Sequence, residues 1–259
     1  MVRMGSRVGF ALVVSLLVLL AMRAQTTVAL PFSIGERLNY GVTVGSKHVG
    51  QGSMSIQGPE DVRGVATYLL KSEVRARIGP IKALDRADSW LDPARMSALR
   101  FRKRERRAFT GSDEQVELFP ESQRWQTTRG DGGESPTNAP LDELSFIYFI
   151  RTLPLIRDTV YRVARHYDQE RNPVEVRVVG RDTIRTEAGT FSTIIVEMHV
   201  RDAGRFHGDG VIRLHLTDDM CRIPVRIETS MPVIGSTVLT LESYTRSPMH
   251  LAHLPGLTP

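Results

Sequence analysis

From about residue 36 onward, most of the chain alternates apolar and polar residues at a period of two, as in the run Arg37–Val44. This pattern is typical of half-buried strands, because successive side chains of a strand point to opposite faces. Turn-forming residues separate the runs, for example at Gly58–Asp61, Gly79-Pro80 and Gly111–Asp113, which favours an antiparallel meander. The pattern predicts strands at residues 36–44, 48–57, 64–78, 82–91, 96–108, 114–119, 123–128, 159–166, 174–183, 190–201, 207–217, 223–230 and 236–246.

One segment, residues 141–151, breaks the alternation because it is apolar on nearly every side after its first turn. Pro140 suits a first helical position, Asp142 complements the amino-terminal dipole and Pro154 prevents continuation, so we expect a helix of about three turns. A buried strand is the alternative that periodicity leaves open. A helix that is apolar all round belongs in an interior. We therefore expect four of its side chains to be buried, those of Phe146, Ile147, Phe149 and Ile150.

A flat sheet with more than about ten antiparallel strands would leave a whole face uncovered, and accumulated twist makes such a sheet curl. The predicted fold class is therefore mainly β: a curled antiparallel sheet or open β-barrel wrapped around one buried helix. The predicted organisation is a signal peptide at 1–29, a single β-rich domain at 30–247 and a flexible tail at 248–259. Residues 129–139 are expected to form a mobile loop. The concave interior could be packed or hollow.

The first residues resemble a secretory signal peptide, because Arg3 and Arg7 precede an uncharged run of 15 residues that ends at Met22. A membrane-spanning helix needs roughly 20 apolar residues, so a retained anchor is the weaker interpretation. Small residues at Ala24 and Ala29 suit cleavage, and the mature protein is expected to start at Gln25 or Leu30. The sequence thus predicts export to the periplasm or cell envelope.

Processing after residue 29 also changes the charge. The chain has 34 Lys and Arg against 29 Asp and Glu, and three arginines leave with the signal peptide, so 31 basic residues remain. A net charge of +2 does not indicate nucleic acid binding, and no nucleic acid partner is expected. The lone Cys221 excludes an intramolecular disulfide, so stability must come from a core.

No catalytic, cofactor or metal motif is present in the sequence. Ser89 and Ser145 are conceivable nucleophiles but lie in no recognisable elbow. His207 and His215 share a strand face by parity, but eight residues of strand span about 26 Å, too far for one ion without a further ligand such as His199. Arg222 next to Cys221 could lower the pKa of the thiol, although a structural cysteine is the simpler interpretation. The sequence assigns no catalytic residue, no cofactor and no metal ligand, and an enzyme is not favoured.

The densest positive charge lies between residues 95 and 107. Alternation places one set of arginines on a single strand face, and these are the predicted contacts to an anionic surface: Arg100, Arg102, Arg104 and Arg106. The simpler interpretation is a convex or edge strand that its charge protects from pairing with other chains. The functional interpretation is a contact with anionic lipid head groups or an acidic partner in the envelope.

Several short segments carry a resemblance to a known family: Gly35–Tyr40, Val49–Gly52, Asp142–Ser145 with Arg151 and Pro154-Leu155, Ala188–Phe191, Ile223–Ile227 and the strand from Gly235 to Leu241. Together they resemble a bacterial exported family called domain of unknown function 3108, over residues 32 to about 246. The resemblance implies an envelope protein with a curled, open β-barrel, broadly similar to carriers of bacterial lipoproteins. It implies no catalytic residues.

These observations favour an exported envelope protein that binds or carries a lipid or other apolar ligand in an open β-barrel. A non-catalytic structural or protein-interaction domain of the envelope is the alternative, and an enzyme of unfamiliar type has no residue evidence. An apolar cavity of a few hundred Å³ would favour the carrier, and a solid interior would favour the interaction domain.

Overall fold

The computed structural model describes residues 30–107, 110–202, 208–231 and 235–246. These residues contain one α-helix, α1 at Glu143–Ile150, and short 3-10 turns at Pro120–Ser122 and Gln169–Arg171. The strands are β1 (Arg37–Val44), β2 (Lys47–Val62), β3 (Val65–Ile78), β4 (Ile81–Asp92), β5 (Ser97–Arg107), β6 (Thr110–Phe119), β7 (Arg124–Thr127), β8 (Gly132–Glu134), β9 (Val160–Val163), β10 (Val174–Thr186), β11 (Gly189–Asp202), β12 (Gly208–Thr217), β13 (Pro224–Met231) and β14 (Gly235–Thr245).

All strands belong to one antiparallel sheet of 14 strands, in the order β8-β7-β6-β5-β4-β3-β2-β1-β14-β13-β12-β11-β10-β9. Consecutive strands pair with each other except β8 and β9, and the first strand, β1, pairs with the last, β14, in the middle of the sheet. The strands β8 and β9 remain as edges, and the barrel is not closed by strand pairing. The predicted fold class is confirmed, and every predicted strand is present within a few residues of its expected bounds.

A short stretch before the helix links the two sides of the open barrel. The Leu141 N–H donates to the Arg165 carbonyl at 2.6 Å, and the Tyr167 N–H donates to the Leu141 carbonyl at 3.0 Å. On the other side, the Ala98 N–H at the start of β5 donates to the Pro140 carbonyl at 2.8 Å. This connecting segment thus satisfies backbone groups of β5 and of the stretch after β9 by direct hydrogen bonds.

The helix prediction is confirmed, but the helix is shorter than three turns and Pro140 lies outside it. Asp142 is the N-cap: its carboxylate accepts hydrogen bonds from the N–H groups of Leu144 and Ser145, each at 2.9 Å. The Ser145 hydroxyl accepts from the Asp142 N–H at 2.9 Å, which completes a capping box. A capping box sets the start of a helix more sharply than a proline does, because it satisfies two of the N–H groups that have no intrahelical partner.

The helix packs on one face of the sheet, which we call the helix face; the opposite face is the outer face. Next to α1, side chains of both halves of the sheet are almost fully buried, among them Ile56, Leu70, Phe101, Val196 and Leu214. Phe146 and Ile150 are buried as expected, whereas Ile147 and Phe149 are only half-buried. Among the described residues, the interior around the helix is therefore filled largely by packed apolar side chains.

Because hairpin turns alternate between the two ends of an antiparallel sheet, this barrel has two distinct ends. The helix end contains α1, the start of β1 and the β4–β5 and β12–β13 turns. There, Arg151 is fully buried and donates two hydrogen bonds of 2.7 Å to the carboxylate of Glu36. The hairpin end contains the β1–β2 and β3–β4 turns and the paired ends of β5 and β6 at Arg107 and Thr110.

Two predicted turns are wrong, and a predicted loop contains a short strand. Residues 129–139, predicted as a mobile loop, contain strand β8. Its residues Gly132 and Gly133 show no apolar alternation, and the strand forms through pairing with β7. The predicted break at residues 58–61 lies inside β2, where a bulge between Gln57 and Glu60 absorbs it. The predicted turn at residues 111–113 lies inside β6. Signal peptide and tail, residues 1–29 and 248–259, fall outside the described residues.

Candidate functional site

The basic strand β5 has the two faces that alternation predicts. Phe101 and Lys103 lie on the helix face, and the Lys103 ammonium donates to Glu143 of α1 at 2.8 Å. The predicted contact arginines, Arg100, Arg102, Arg104 and Arg106, therefore lie on the outer face. The strand is not an edge strand, because β4 and β6 pair with it on both sides. The positive charge of β5 therefore does not protect a sheet edge. Of the two simpler interpretations, a convex strand or an edge strand, only the convex, outward-facing strand remains.

Three of these four arginines are paired with carboxylates on neighbouring strands. Arg100 donates to Glu117 at 2.5 Å, and Arg104 donates to Asp88 at 2.7 Å. Arg102 forms a bidentate contact with Asp113 at 2.9 and 2.7 Å, and its hydrogen bonds hold the pKa of that carboxyl below its usual value. These three guanidinium groups are thus largely neutralised within the sheet.

Arg106 has a different environment. It lies in a row of opposing residues that crosses four strands near the hairpin end. In this row Gln51 of β2 opposes Arg75 of β3, Arg75 opposes Leu84 of β4, and Leu84 opposes Arg106 of β5. One row closer to the turn, Arg77 opposes Lys82. Cationic side chains of three adjacent strands therefore converge on the outer face beside the β3–β4 turn.

These rows line a groove of about 690 Å³, which we call the basic groove. Its apolar lining comes from Val49, Ala76, Ala83 and Leu84, and its basic lining comes from His48, Arg75, Arg77, Lys82, Arg86 and Arg106. None of the described lining residues is acidic. A surface of this kind combines aliphatic area with several cations, which suits a ligand that has both an apolar part and an anionic part.

Glu73 is an acid that contacts the basic groove, and it is already engaged. Its carboxylate accepts from Arg75 and Arg86. Burial alone would raise the pKa of Glu73, but these hydrogen bonds lower it overall, so it stays ionised. Within the described ranges no carboxylate forms an ion pair with Arg77, Lys82 or Arg106. The groove therefore keeps an excess of positive charge, unlike the rest of β5.

The two serines considered as nucleophiles meet at one buried cluster at the start of α1. The Ser89 hydroxyl donates to Asp142 at 2.6 Å, and Ser145 belongs to the capping box on the same carboxylate. Both serines and Asp142 are fully buried, and burial raises the pKa of Asp142 to about 6. The cluster holds the helix start against β4 and offers no surface to a substrate.

The histidines and the cysteine form no recognisable centre either. His215 is buried on the outer face of β12, His199 lies two rows away on β11, and His207 falls outside the described residues. In the part of the chain that the structure describes, no group of three or more His, Cys, Asp or Glu side chains could hold a metal ion. Burial raises the pKa of the Cys221 thiol, so the expectation that Arg222 could lower it is wrong.

Arg222 does not act on the thiol because its guanidinium is directed elsewhere, to the carbonyl groups of Arg151 and Leu153. The groove residues on β3 and β4 were missed in the sequence, although a signal existed. Basic residues recur at even separations on both sides of the Gly79-Pro80 turn, two residues apart at Arg75 and Arg77 and four residues apart at Lys82 and Arg86. Only the pairing of β3 with β4 and β5 shows that these residues share a surface with Arg106.

None of the described helices is long and apolar enough to span a bilayer. No curated protein matches this chain. A β-barrel-like protein of domain of unknown function DUF1849 from Brucella abortus has a TM-score of 0.51 at 10% identity, covering 82% of this chain and 97% of that chain. Its likeness supports the open-barrel fold.

Two further solved structures have lower scores. A candidate lipoprotein from Parabacteroides distasonis has a TM-score of 0.31 at 10% identity, covering 84% of this chain and 99% of that chain. A candidate exported protein with a YmcC-like fold from Bacteroides fragilis has a TM-score of 0.31 at 12% identity with the same coverage. The family model described as protein of unknown function (DUF3108) matches residues 39–242. Since that match spans well over half of the sequence, the chain belongs to the DUF3108 family.

Proposed function

We propose that this protein is an exported, non-catalytic domain of the cell envelope that binds anionic lipid through the basic groove. The observation that carries the proposal is the contrast on the outer face of β5. Arg100, Arg102 and Arg104 are matched by carboxylates, whereas the groove that Arg106 lines keeps unpaired cations beside apolar lining residues such as Leu84, which lies on the same face. A lipid with an anionic head group satisfies both features at once.

The location of this site departs from the expected one. The sequence placed a lipid or apolar ligand in the concave interior of the barrel, but that side is filled around α1 by buried side chains. The proposed lipid site lies on the outer face at the hairpin end. Of the four arginines predicted to contact an anionic surface, Arg106 carries this role and the other three flank it.

The charge of the groove is large enough to matter energetically. Lys and Arg near an anionic membrane surface each contribute about 1 kcal/mol, and screening limits the attraction to about 8 Å at physiological ionic strength. Arginine guanidinium groups also donate paired hydrogen bonds to a phosphate, which adds geometric selectivity. The groove is therefore suited to hold a head group at contact distance.

Export of the domain is part of the proposal. It is supported by Arg3 and Arg7 ahead of an uncharged run and by the small residues at Ala24 and Ala29. An exported domain faces anionic lipid surfaces in the envelope directly. Amino-terminal sequencing of the protein from an envelope fraction tests this point: a start at Leu30 or Gln25 is expected, and an intact Met1 in the membrane pellet would contradict cleavage.

The binding test is co-sedimentation of the processed protein with vesicles of phosphatidylcholine alone or in equimolar mixture with phosphatidylglycerol, across a salt series. The variant Arg77→Ser/Lys82→Ser/Arg106→Ser removes three groove cations. At about 1 kcal/mol per cation, binding to anionic vesicles should fall about 100-fold at low salt. The wild type should bind anionic vesicles in a salt-dependent way and phosphatidylcholine weakly.

A matched control removes three exposed arginines outside the groove and thus changes the net charge equally: Arg124→Ser/Arg157→Ser/Arg185→Ser. This control should bind almost as the wild type does. If both triple variants lose vesicle affinity to the same extent, net charge alone causes the attraction and the groove is not a specific binding site. If neither loses affinity, the alternative of a structural or protein-interaction domain takes the place of lipid binding.

A further inference from the structure

The turn between β3 and β4 carries an exposed apolar side chain at its tip. Ile81 is 52% exposed, which is unusual for an isoleucine, and it follows the turn residues Gly79 and Pro80. Gly79 has a φ of +59°, a left-handed conformation that glycine adopts without strain, so the chain reverses tightly here. Alternation along β4 places the Ile81 side chain on the face opposite to Lys82, so the tip of the hairpin carries an exposed apolar side chain on one face and cations on the other.

Cations flank this apolar tip. Arg77, four residues before Ile81, and Lys82, directly after it, both line the basic groove. Among the described residues neither forms an ion pair with a carboxylate, and the Arg77 guanidinium donates to the Gly79 carbonyl at 3.2 Å. An apolar tip bracketed by cations has the charge pattern of a segment that enters a membrane interface, where apolar groups reach the acyl chains and cations stay with the phosphates.

The orientation of the barrel allows such contact. The β1–β2 turn and the paired ends of β5 and β6 lie at the same end as the β3–β4 turn, with Lys47, His48 and Arg106 beside them. The helix α1 and the buried Glu36–Arg151 pair lie at the opposite end. Approach of the hairpin end to a membrane therefore disturbs none of the core packing.

We propose that the β3–β4 tip inserts Ile81 into the interface of an anionic bilayer, so that the basic groove binds head groups of lipids that remain in the membrane. This inference rests on the proposed lipid-binding function. It adds that the bound lipid belongs to a bilayer and states how the protein is oriented on that bilayer. The partner is a bilayer containing anionic lipid, and the protein stands on it by its hairpin end. In this binding mode the protein does not extract single lipid molecules from the membrane.

The first test replaces Ile81 by serine and measures co-sedimentation with equimolar phosphatidylcholine and phosphatidylglycerol vesicles. Losing the burial of one isoleucine should weaken binding about tenfold. The matched control is Ile156→Ser, which removes a more exposed isoleucine away from the groove and should bind as the wild type does. Equal binding of Ile81→Ser and wild type would overturn the inserted tip.

A second test uses fluorescence to observe insertion directly. Ile81→Trp should gain a blue-shifted emission component with anionic vesicles, and lipids brominated in their acyl chains should quench it. Ile156→Trp should show neither effect, and subtraction of the wild-type spectrum removes the signals of Trp90 and Trp125. An emission from Ile81→Trp that vesicles leave unshifted and unquenched would overturn insertion.

The outcomes separate the two proposals. Glycerol phosphate, a soluble head-group analogue, should perturb the NMR signals of groove residues equally in wild type and Ile81→Ser, and not in the groove triple variant. Groove-dependent vesicle binding with no role for Ile81 would leave the proposed function in place and refute insertion. If neither the groove variant nor Ile81→Ser alters vesicle binding, both proposals are wrong.

Discussion

The two ends of the barrel use charged residues in opposite ways. At the helix end, Arg151 is fully buried, pairs with Glu36 and is stacked near the rings of Phe32 and Tyr148, at 5.1 and 5.3 Å from their centroids. At the hairpin end, Arg77, Lys82 and Arg106 face solvent without carboxylate partners among the described residues. A buried charge must be paired to be tolerated, whereas an unpaired exposed charge is available to a ligand.

Under the proposed function, stability and lipid binding depend on opposite ends of the barrel. The helix end joins the amino-terminal segment, α1 and the β12–β13 turn, because Arg151 also donates to the carbonyl groups of Pro31 and Cys221. Changes there should affect folding. Changes at the hairpin end should affect binding while the fold persists.

The largest effect is expected from breaking the buried ion pair. Arg151→Met leaves the Glu36 carboxylate buried without its partner, which should cost about 3–5 kcal/mol of unfolding free energy. Chemical denaturation measures this loss. The double variant Glu36→Leu/Arg151→Met should recover much of the stability, since no unpaired charge remains. Equal loss in single and double variants would mean that packing, not the charge, sets the cost.

The next effect concerns the core under the helix. Phe146→Ala should cost about 3–5 kcal/mol, because the side chain is 2% exposed and a cavity would remain. Phe149→Ala should cost less, since Phe149 is half-buried and packs against the Arg165 guanidinium at 4.7 Å from its ring centroid. Denaturant midpoints of the two variants test this order, and a greater loss for Phe149→Ala would contradict it.

The helix start should also show two opposing pH dependences. Burial lowers the pKa of His166 to about 4, so its contribution is present above pH 6.5 and is lost as the pH falls towards 4. Burial raises the pKa of Asp142 to about 6, so its ionisation weakens the fold as the pH rises from about 4 to 6. Each contribution is at most about 3 kcal/mol, and in the wild type they largely cancel.

His166→Gln removes the pH dependence that arises from His166 and leaves the one that arises from Asp142. Its unfolding free energy should therefore rise relative to that of the wild type as the pH falls from 6.5 to 4. Asp142→Asn should show the opposite trend, losing stability relative to the wild type on acidification over the same range. Urea denaturation at a series of pH values measures both differences, and parallel pH profiles for all three proteins would refute the assignment.

The smallest effect on stability is expected at the hairpin end. The groove variant Arg77→Ser/Lys82→Ser/Arg106→Ser should change the unfolding free energy by less than about 1 kcal/mol, because exposed side chains outside the core contribute little. The change could even be stabilising, since like charges repel each other. Thermal denaturation at low salt checks this. A large loss would mean that the basic groove is part of the structural framework.

Sequence reasoning was most successful where one local pattern determines the outcome. Period-two alternation located thirteen of the strands, and the flanking proline and acidic residues identified α1. It failed at β8, where Gly132 and Gly133 have no side-chain pattern and only pairing with β7 makes a strand. It also failed at residues 58–61, because a bulge lets β2 continue through residues that usually form turns.

The candidate site was only partly foreseeable for a similar reason. Alternation correctly placed Arg100, Arg102, Arg104 and Arg106 on one face, but it treated them as equivalent. Their difference arises from partners distant in sequence: Glu117, Asp113 and Asp88 neutralise three of them, and Arg106 joins residues of β3 and β4. Which charges are paired depends on strand register, and register is a long-range property.

The sequence by itself determined the class of this protein: strand periodicity, one apolar segment with helix-start and helix-stop residues, and short motifs of the DUF3108 family. These features act through neighbours within a few residues, so they can be recognised in a linear chain. Only the tertiary structure decided that the space around α1 is filled and that cations of β3, β4 and β5 form one groove. Burial and charge pairing depend on contacts between residues far apart in the chain, and those contacts exist only after the sheet has formed.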